Sequence, residues 1–320
     1  MAQNFLIKDL ILGLLVILFG LAAFWLWYGV IPLIIDGQFN QYQDYLRSVG
    51  FWLVAAVVFV FSSIFIKNGA ILLVAALIST LLPFFLLQAN SYIIGMAAAA
   101  IFLMVIAIHR IKKEFLFSPR FSMAKIARAG LPLYFTSASL VISAFYLANM
   151  DEEKAIAGLL PRSVLEFSLE KFSEPISTFT GLPKITPEAT LDEILYDAAV
   201  SQLEAQGIPL GQLPKKEILG LVATQRKQLS EQFGIDLPGN RTVTDVFYTS
   251  LDERLRDLLG PYKKYLPLAS AIAFFFAVKT LTFPLYFLSV VLLLLLIYIL
   301  RLVKIIKSEK VQIEVERLTI

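Results

Sequence analysis

Long apolar runs separated by short polar connections dominate the first half of the chain and return near its end. Five runs precede residue 151, at about 11–35, 51–66, 70–87, 92–109 and 131–149. Each is close to the roughly 20 residues that a helix needs to cross the hydrocarbon layer, whereas the strands of a membrane barrel would be about 10 residues long and alternating. The pattern therefore predicts a helical, multi-pass membrane protein with a five-span region over residues 1–150.

The first run, from Ile11 to Ile35, is expected to remain in the mature chain as the first span. It is longer than the apolar core of a signal peptide, and it contains no obvious small-residue cleavage site. Trp25, Trp27 and Tyr28 lie towards its far end, where an aromatic belt meets the lipid headgroups.

A further apolar stretch, from Leu266 to Leu300, allows two interpretations. It forms either two short spans broken at Lys279 and Pro284, or one span preceded by an apolar segment that does not cross. A break at Pro284 is expected in either case, because proline lacks a backbone donor and disfavours a helical conformation at the preceding residue. We favour about seven apolar helices, so residues 265–303 are predicted to be a transmembrane hairpin, or a span plus a re-entrant segment.

The polar block at residues 151–264 has the pattern of amphipathic helices. Thr190 with Glu193 three residues later predicts a capping box at the start of one of them. Apolar stripes then follow in three segments, Leu191, Ile194, Leu195, Ala198 and Leu203, then Ile218, Val222, Leu229 and Phe233, then Phe247, Leu251, Leu255, Leu258 and Leu259. A fourth helix is expected from Pro161 onward. The sequence thus predicts an all-α fold, with a small helical domain inserted between membrane helices five and six.

Charge sets the expected orientation. The short loop at residues 109–130 carries an excess of cations, at Arg110, Lys112, Lys113, Arg120, Lys125 and Arg128. Because such loops remain cytoplasmic, the amino terminus is predicted to be cytoplasmic and residues 151–264 extracytoplasmic. A rival explanation of the loop is a site for anionic lipid headgroups or nucleic acid, but no nucleic-acid fold signature accompanies it. At the carboxyl end, the cytoplasmic preference of lysine and arginine conflicts with a chain of seven spans. Seven spans would leave the terminal cations outside, namely Arg301, Lys304, Lys307 and Lys310.

Composition removes several chemistries. The chain is 58% hydrophobic, has no cysteine and has a single histidine, His109. Disulfides, cysteine nucleophiles and multi-histidine metal sites are therefore excluded, and we assign no catalytic residue, cofactor or metal. The adjacent carboxylates at Asp151, Glu152 and Glu153 and at Asp192 and Glu193 are expected to be solvated or helix-capping rather than ligands.

Lys279 is the one charge we place inside an apolar run, and it stays a candidate functional group. It either snorkels from the end of a short helix or faces a cavity or an acid from the outer block. Small residues at Gly95 and Ala99, and at Ser139 and Ser143, have the spacing that suits close helix packing. The charged tail at residues 304–320 ends in "VQIEVERLTI", which alternates like a half-buried strand.

The stretch "FSPRFSMAKIARAGLPLYFTSASLVISAFYLANM", residues 117–150, resembles multi-span membrane proteins of candidate-phyla bacteria with reduced genomes. That family has no assigned activity, so the resemblance implies a bacterial inner-membrane location and carries over no functional residue.

Three functions are consistent with these features. The first is a non-enzymatic envelope protein, held in the lipid bilayer, that binds an envelope partner through residues 151–264. The second is a transporter or channel component, which predicts a polar cavity near Lys279, Pro284, Gln88 or Asn90. The third is a membrane enzyme acting on lipid or peptide at the outer surface, which predicts a cleft where carboxylates and hydroxyls converge. The oligomeric state is not predicted.

Overall fold

The computed structural model describes residues 2–37, 42–117, 122–159, 188–205, 215–233 and 237–306. The predicted helix after Pro161, the cation Arg120 and residues 307–320 of the charged tail, which include its strand-like end at 311–320, lie outside these ranges. Within them the chain is helical, with an isolated antiparallel bridge between Thr190 and Thr242. The helices are α1 (Ala2–Ile35), α2 (Tyr42–Phe65), α3 (Gly69–Leu81), α4 (Ser91–Phe117), α5 (Met123–Asn149), α6 (Glu152–Leu159), α7 (Leu191–Ala205), α8 (Lys215–Phe233), α9 (Val243–Leu259) and α10 (Leu266–Leu302). Short 3₁₀ helices follow α3, at Leu82–Leu86, and α9, at Gly260–Tyr265.

The predicted fold class is confirmed, because the described residues contain six helical segments that are long and apolar enough to cross a membrane. The chain divides into two compact units. The membrane unit comprises Met1–Asp151 and Pro267–Ile320, and so holds α1 to α5 and nearly all of α10. The polar unit, Glu152–Leu266, holds α6 to α9.

Aromatic side chains join α1, α2 and α5 in the core of the membrane unit. Trp52 on α2 is fully buried and meets two rings edge-on, Trp27 of α1 at 5.8 Å and Phe135 of α5 at 5.3 Å between centroids. Phe59 stacks on Tyr134 at 4.7 Å. Such pairs add to the dispersion energy of close packing, which holds helices together where lipid is as apolar as the side chains.

Glycine allows two helix pairs to approach closely. A Cβ atom at Gly130 of α5 would lie 2.6 Å from the carbonyl oxygen of Ala107 on α4, so only hydrogen fits there. On α1, a Cβ at Gly20 would lie 2.9 Å from the Cβ of Ser79 on α3. Ser137 adds a hydrogen bond between α5 and α4, its hydroxyl donating to the Ala100 carbonyl at 2.7 Å.

Of the two pairs of small residues expected to pack helices together, the structure buries one and exposes the other. Ser139 and Ser143 are buried, and their hydroxyls donate to carbonyls one turn earlier in α5. Gly95 and Ala99 lie on the exposed face of α4, and a Cβ at Gly95 would meet nothing within 4 Å. That part of the packing expectation is wrong, because spacing alone does not say which face of α4 meets α5.

Residues 266–302 form one continuous helix, so the described membrane segments number six where the sequence predicts about seven. The predicted break at Pro284 does not occur. Proline removes the N–H partner of the carbonyl four residues earlier, here that of Thr280, and membrane helices tolerate this loss. In the same turn the Thr282 hydroxyl donates to the carbonyl of Lys279 at 2.6 Å. The helix ends at Leu302, and Lys304 then takes the left-handed conformation with φ 60°.

Candidate functional site

The basic residues predicted to set orientation cluster at one end of the membrane unit. This basic end is where α1 and α5 begin and α2 and α4 end. The described members of the predicted set lie in the last turns of α4 and the first turns of α5, namely Arg110, Lys112, Lys113, Lys125 and Arg128. Lys8 of α1 and Lys67 in the α2–α3 turn lie at the same end.

The direction of α10 places its terminal cations on the same side. Phe274 stacks on Tyr146 near the end of α5, with ring centroids 4.2 Å apart. Further along α10, the Lys279 ammonium reaches the carbonyl of Pro132 and the hydroxyl of Thr136, nearer the start of α5. The two helices are therefore antiparallel, and α10 runs towards the basic end with Arg301 in its last turn. Seven spans would have placed the cations after α10 on the side opposite to the basic loop. With six segments they lie on the same side, as expected if lysine and arginine remain cytoplasmic.

Lys279 links two helices of the membrane unit. Its ammonium donates to the Pro132 carbonyl at 3.3 Å and to the Thr136 hydroxyl, which itself donates to Pro132 at 2.7 Å. The side chain is partly buried, and both of these partners belong to α5. Lys279 therefore links α10 to α5 through hydrogen bonds. A functional role for its charge stays a prediction.

Sequence reasoning missed Asp9, a buried carboxylate at the basic end. Asp9 exposes 3% of its surface, and its Oδ2 accepts two backbone N–H groups of the α2–α3 turn, from Lys67 at 3.1 Å and from Asn68 at 2.9 Å. Lys8 Nζ lies 3.9 Å from Oδ1, and Lys112 of α4 interacts electrostatically with the carboxylate. Asp9 thus fastens α1 to the turn before α3 and balances cations from two helices. An acid beside Lys8 at the start of an apolar helix was the available signal.

Replacing Asp9 with alanine is expected to lower the free energy of unfolding by about 2 kcal/mol or more, because two buried backbone donors lose their acceptor. Chemical or thermal unfolding of the purified full chain in detergent measures this effect. Asp44→Ala is the control, since Asp44 is an exposed acid in a 3.6 Å pair with Arg47 and such pairs contribute about 0–1 kcal/mol. Equal effects of the two substitutions would contradict the role assigned to Asp9.

The first turn of α7 is held by the loop before α9. The backbone N–H of Leu191 donates to the Arg241 carbonyl, and the backbone N–H of Asp192 donates to the Gly239 carbonyl, both at 3.1 Å. The Asp192 carboxylate pairs with Arg226 of α8 at 2.9 Å, against Gly239. The Asp192 carboxylate therefore forms an ion pair with Arg226 and does not cap α7. It joins α7 to α8 beside a small core of Ala199, Ile218 and Val222.

Glu193 forms the predicted capping box. Its Oε2 accepts the backbone N–H of Thr190 at 2.8 Å, and its own N–H donates to the Thr190 hydroxyl at 3.3 Å. The hydrogen bond from the Thr190 backbone, followed by that involving the Thr190 side chain, lowers the pKa of Glu193 below its ordinary value of 4.5. A lowered folded-state pKa stabilises the fold above that ordinary value, and the contribution is lost as the pH falls through the folded-state pKa.

Glu193→Gln is expected to lower the unfolding temperature of the polar unit at neutral pH, because it removes the charge that the cap favours. The difference from the unchanged chain should shrink as the pH falls well below 4.5, where both side chains are neutral. Thermal unfolding followed by circular dichroism at a series of pH values measures it. Glu253→Gln, on the exposed side of α9, serves as the control. A difference that stays constant with pH would contradict the assignment.

The apolar stripe of α9 is more exposed than its pattern predicts. Leu251 exposes 37% of its surface and Leu258 exposes 73%, with the half-buried Leu255 between them on the same face. Tyr262 continues this face into the following 3₁₀ helix and is 61% exposed. We call Leu251, Leu255, Leu258 and Tyr262 the α9 stripe. Large apolar side chains aligned on one exposed helix face are typical of a binding surface.

Acidic groups do not converge in the part of the chain that the structure describes. Among those residues, no three histidine, aspartate or glutamate side chains are grouped so that they could hold a metal ion. Asp151, Glu152 and Glu153 are exposed, the latter two in the first turn of α6, where the helix dipole favours negative charge.

The fold and these surfaces define a multi-pass helical membrane protein that carries a separate helical unit between its fifth and sixth membrane helices. The chain matches no protein-family model, no curated protein and no solved structure at a significant level. The resemblance of residues 117–150 to membrane proteins of candidate-phyla bacteria therefore stays a prediction, and function is inferred from the geometry of this chain.

Proposed function

We propose that this protein is a non-enzymatic membrane anchor that presents its polar unit outside the cytoplasmic membrane, where the α9 stripe binds an apolar helix face of an envelope protein. The observation that carries this proposal is the exposure of Leu251 and Leu258, which a helix serving only its own core would bury. The location outside is supported by the basic end, because lysine and arginine flanking membrane helices remain cytoplasmic.

The segment after the α9 stripe fits a membrane–water boundary. The 3₁₀ helix Gly260–Tyr265 contains Lys263 and Lys264 between two exposed tyrosines, and tyrosine and lysine are frequent at that boundary. Tyr262 belongs both to this segment and to the α9 stripe, so the segment supports a membrane-anchored protein as the partner of the stripe.

The alternative of a transporter or channel component predicts a polar cavity, and no described feature favours it. Near the positions named for that cavity, the Asn90 side chain accepts the Ile93 N–H at 2.8 Å and so caps α4, and Lys279 is bound to α5. The alternative of a membrane enzyme likewise gains no converging carboxylates among the described residues. Both stay predictions without a supporting contact.

Photocrosslinking in intact cells tests the proposed function. A photoreactive amino acid is placed at Leu258, or at Glu253 on the opposite face of α9 as the matched control, in the full-length chain. The proposal predicts a discrete protein adduct from position 258 and none from position 253, and Leu251→Asp should abolish the adduct by placing a charge in the apolar contact. Adducts formed equally from both positions, or from neither, would contradict it. Adducts to lipid alone would assign the stripe to the membrane surface instead.

A further inference from the structure

An apolar groove opens at the end of the membrane unit opposite to the basic end. It has a volume of about 700 Å³ and lies between residues 21–26 of α1, the start of α2 and the 3₁₀ helix Leu82–Leu86, with Phe145 of α5 also in its wall. This volume is within the roughly 300–1,000 Å³ of small-molecule sites. Its lining is apolar apart from Arg47 of α2.

The path of α3 explains the groove. α3 is held against α1 where Gly20 meets Ser79, and α3 then ends at Leu81. Pro83 lies in the 3₁₀ helix that follows, and the chain becomes extended at Leu87. The side of α1 beyond Gly20, which includes Ala22 and Trp25, is therefore left without a regular α-helix against it. Trp25 and Phe85, both on this wall, expose 66% and 80% of their surfaces.

The chemistry of the groove suits one chain of a lipid and an anionic headgroup. Its apolar wall matches an acyl chain, and Arg47 is the cation in its lining. Arginine can form bidentate hydrogen bonds with a phosphate group. The Arg47 side chain is 60% exposed and its contact with Asp44 is long, at 3.6 Å. Such an exposed pair is weak, so a phosphate can replace the carboxylate. Trp25 and Tyr28, 6.3 Å apart, place this region at the depth of the aromatic belt.

We propose that this groove binds one membrane lipid with an anionic phosphate headgroup. The acyl chain lies along Ala22 and Phe51, and the phosphate is held by Arg47. This inference does not depend on the proposed partner of the α9 stripe, because the groove lies wholly within the membrane unit. It concerns the end opposite to the basic loop, so it is a different site from the headgroup interaction considered for residues 109–130.

Native mass spectrometry of the purified full chain tests the proposal, with phosphatidylglycerol and phosphatidylcholine of matched chains as probes. The expected result is one retained lipid, with phosphatidylglycerol favoured about tenfold. Both lipids carry a phosphate, but phosphatidylcholine also carries an ammonium group that neutralises this phosphate and is repelled by Arg47, whereas phosphatidylglycerol keeps its net negative charge. Arg47→Gln should remove the preference but leave chain binding, and Ala22→Phe should fill the groove and weaken retention of both lipids. Arg110→Gln, at the basic end, is the matched control and should change neither result.

Three outcomes would overturn the proposal. The first is an unchanged preference in Arg47→Gln, which would place the anionic lipid elsewhere. The second is full retention of both lipids in Ala22→Phe, provided that this variant keeps the helical circular dichroism of the unchanged chain. The third is a dimer that Ala22→Phe dissociates, which would show that a second copy of the chain occupies the groove. Arg47 is largely exposed, so the Arg47→Gln result does not depend on refolding of the core.

Discussion

Replacing Gly130 with alanine is expected to lower the free energy of unfolding of the membrane unit by about 3 kcal/mol, at the upper end of the cost of overpacking. The added Cβ would lie 2.6 Å from the backbone oxygen of Ala107 and against the side chain of Ile111. Ile111 can change its rotamer, but the Ala107 carbonyl belongs to the backbone of α4 and cannot yield without separating α4 from α5. Unfolding of the purified chain in detergent, followed by circular dichroism, measures the loss.

Gly95→Ala is the matched control, because Gly95 belongs to the same helix pair but faces open space. The expected effect has the opposite sign there, a gain of up to about 1 kcal/mol, since alanine has the higher helix propensity. Comparable destabilisation by both variants would show that neither effect arises from contact between α4 and α5.

Replacing Trp52 with alanine is expected to cost about 3–5 kcal/mol, the range for deleting a large buried aromatic side chain. Trp52 is fully buried and contacts rings from α1 and α5, so its loss opens a cavity where three helices meet. The same unfolding measurement in detergent tests this prediction.

Trp52→Phe separates ring packing from hydrogen bonding. The Trp52 indole Nε1 has no hydrogen-bond partner among the described residues, so phenylalanine removes no bond and keeps most of the ring contact. The expected cost is about 1–2 kcal/mol, below that of the alanine variant, because phenylalanine is smaller than tryptophan and leaves only a small cavity. A loss as large as that of the alanine variant would show that the indole N–H binds a group or a water molecule essential to the core.

The elements of this fold were predictable wherever local chemistry decides them. Apolar runs of about 20 residues located the first five membrane helices, and Thr190 with Glu193 located the start of α7. Helices α2 and α5 are longer than those runs, because helical hydrogen bonding continues into the polar flanks where no apolar pattern marks it. Helix α3 is shorter than its run, because it ends at Leu81 and a 3₁₀ helix follows.

The features that sequence reasoning missed depend on neighbours distant in the chain. Pro284 predicts a break by its own geometry, yet residues 266–302 form one continuous helix, which contacts α5 through Phe274 and Lys279. In the sequence, Asp9 resembles an ordinary charge flanking a membrane helix. Only the structure shows that its carboxylate accepts the N–H groups of residues 67 and 68. Gly130 rather than Gly95 marks the close helix contact, because only the three-dimensional crossing decides which small residue is needed.

Single-cysteine accessibility in intact cells tests the central claim, that six crossings place the basic end and the residues after α10 on the cytoplasmic side and the polar unit outside. The chain has no cysteine, so each variant carries only the introduced thiol. We choose the exposed positions Ser201 in the polar unit, Phe117 at the end of α4 and Val303 after α10. An impermeant thiol reagent should label position 201 at once, and positions 117 and 303 only after lysis. Labelling at both 201 and 303 in intact cells would contradict six crossings, and labelling at 117 with 201 silent would reverse the orientation.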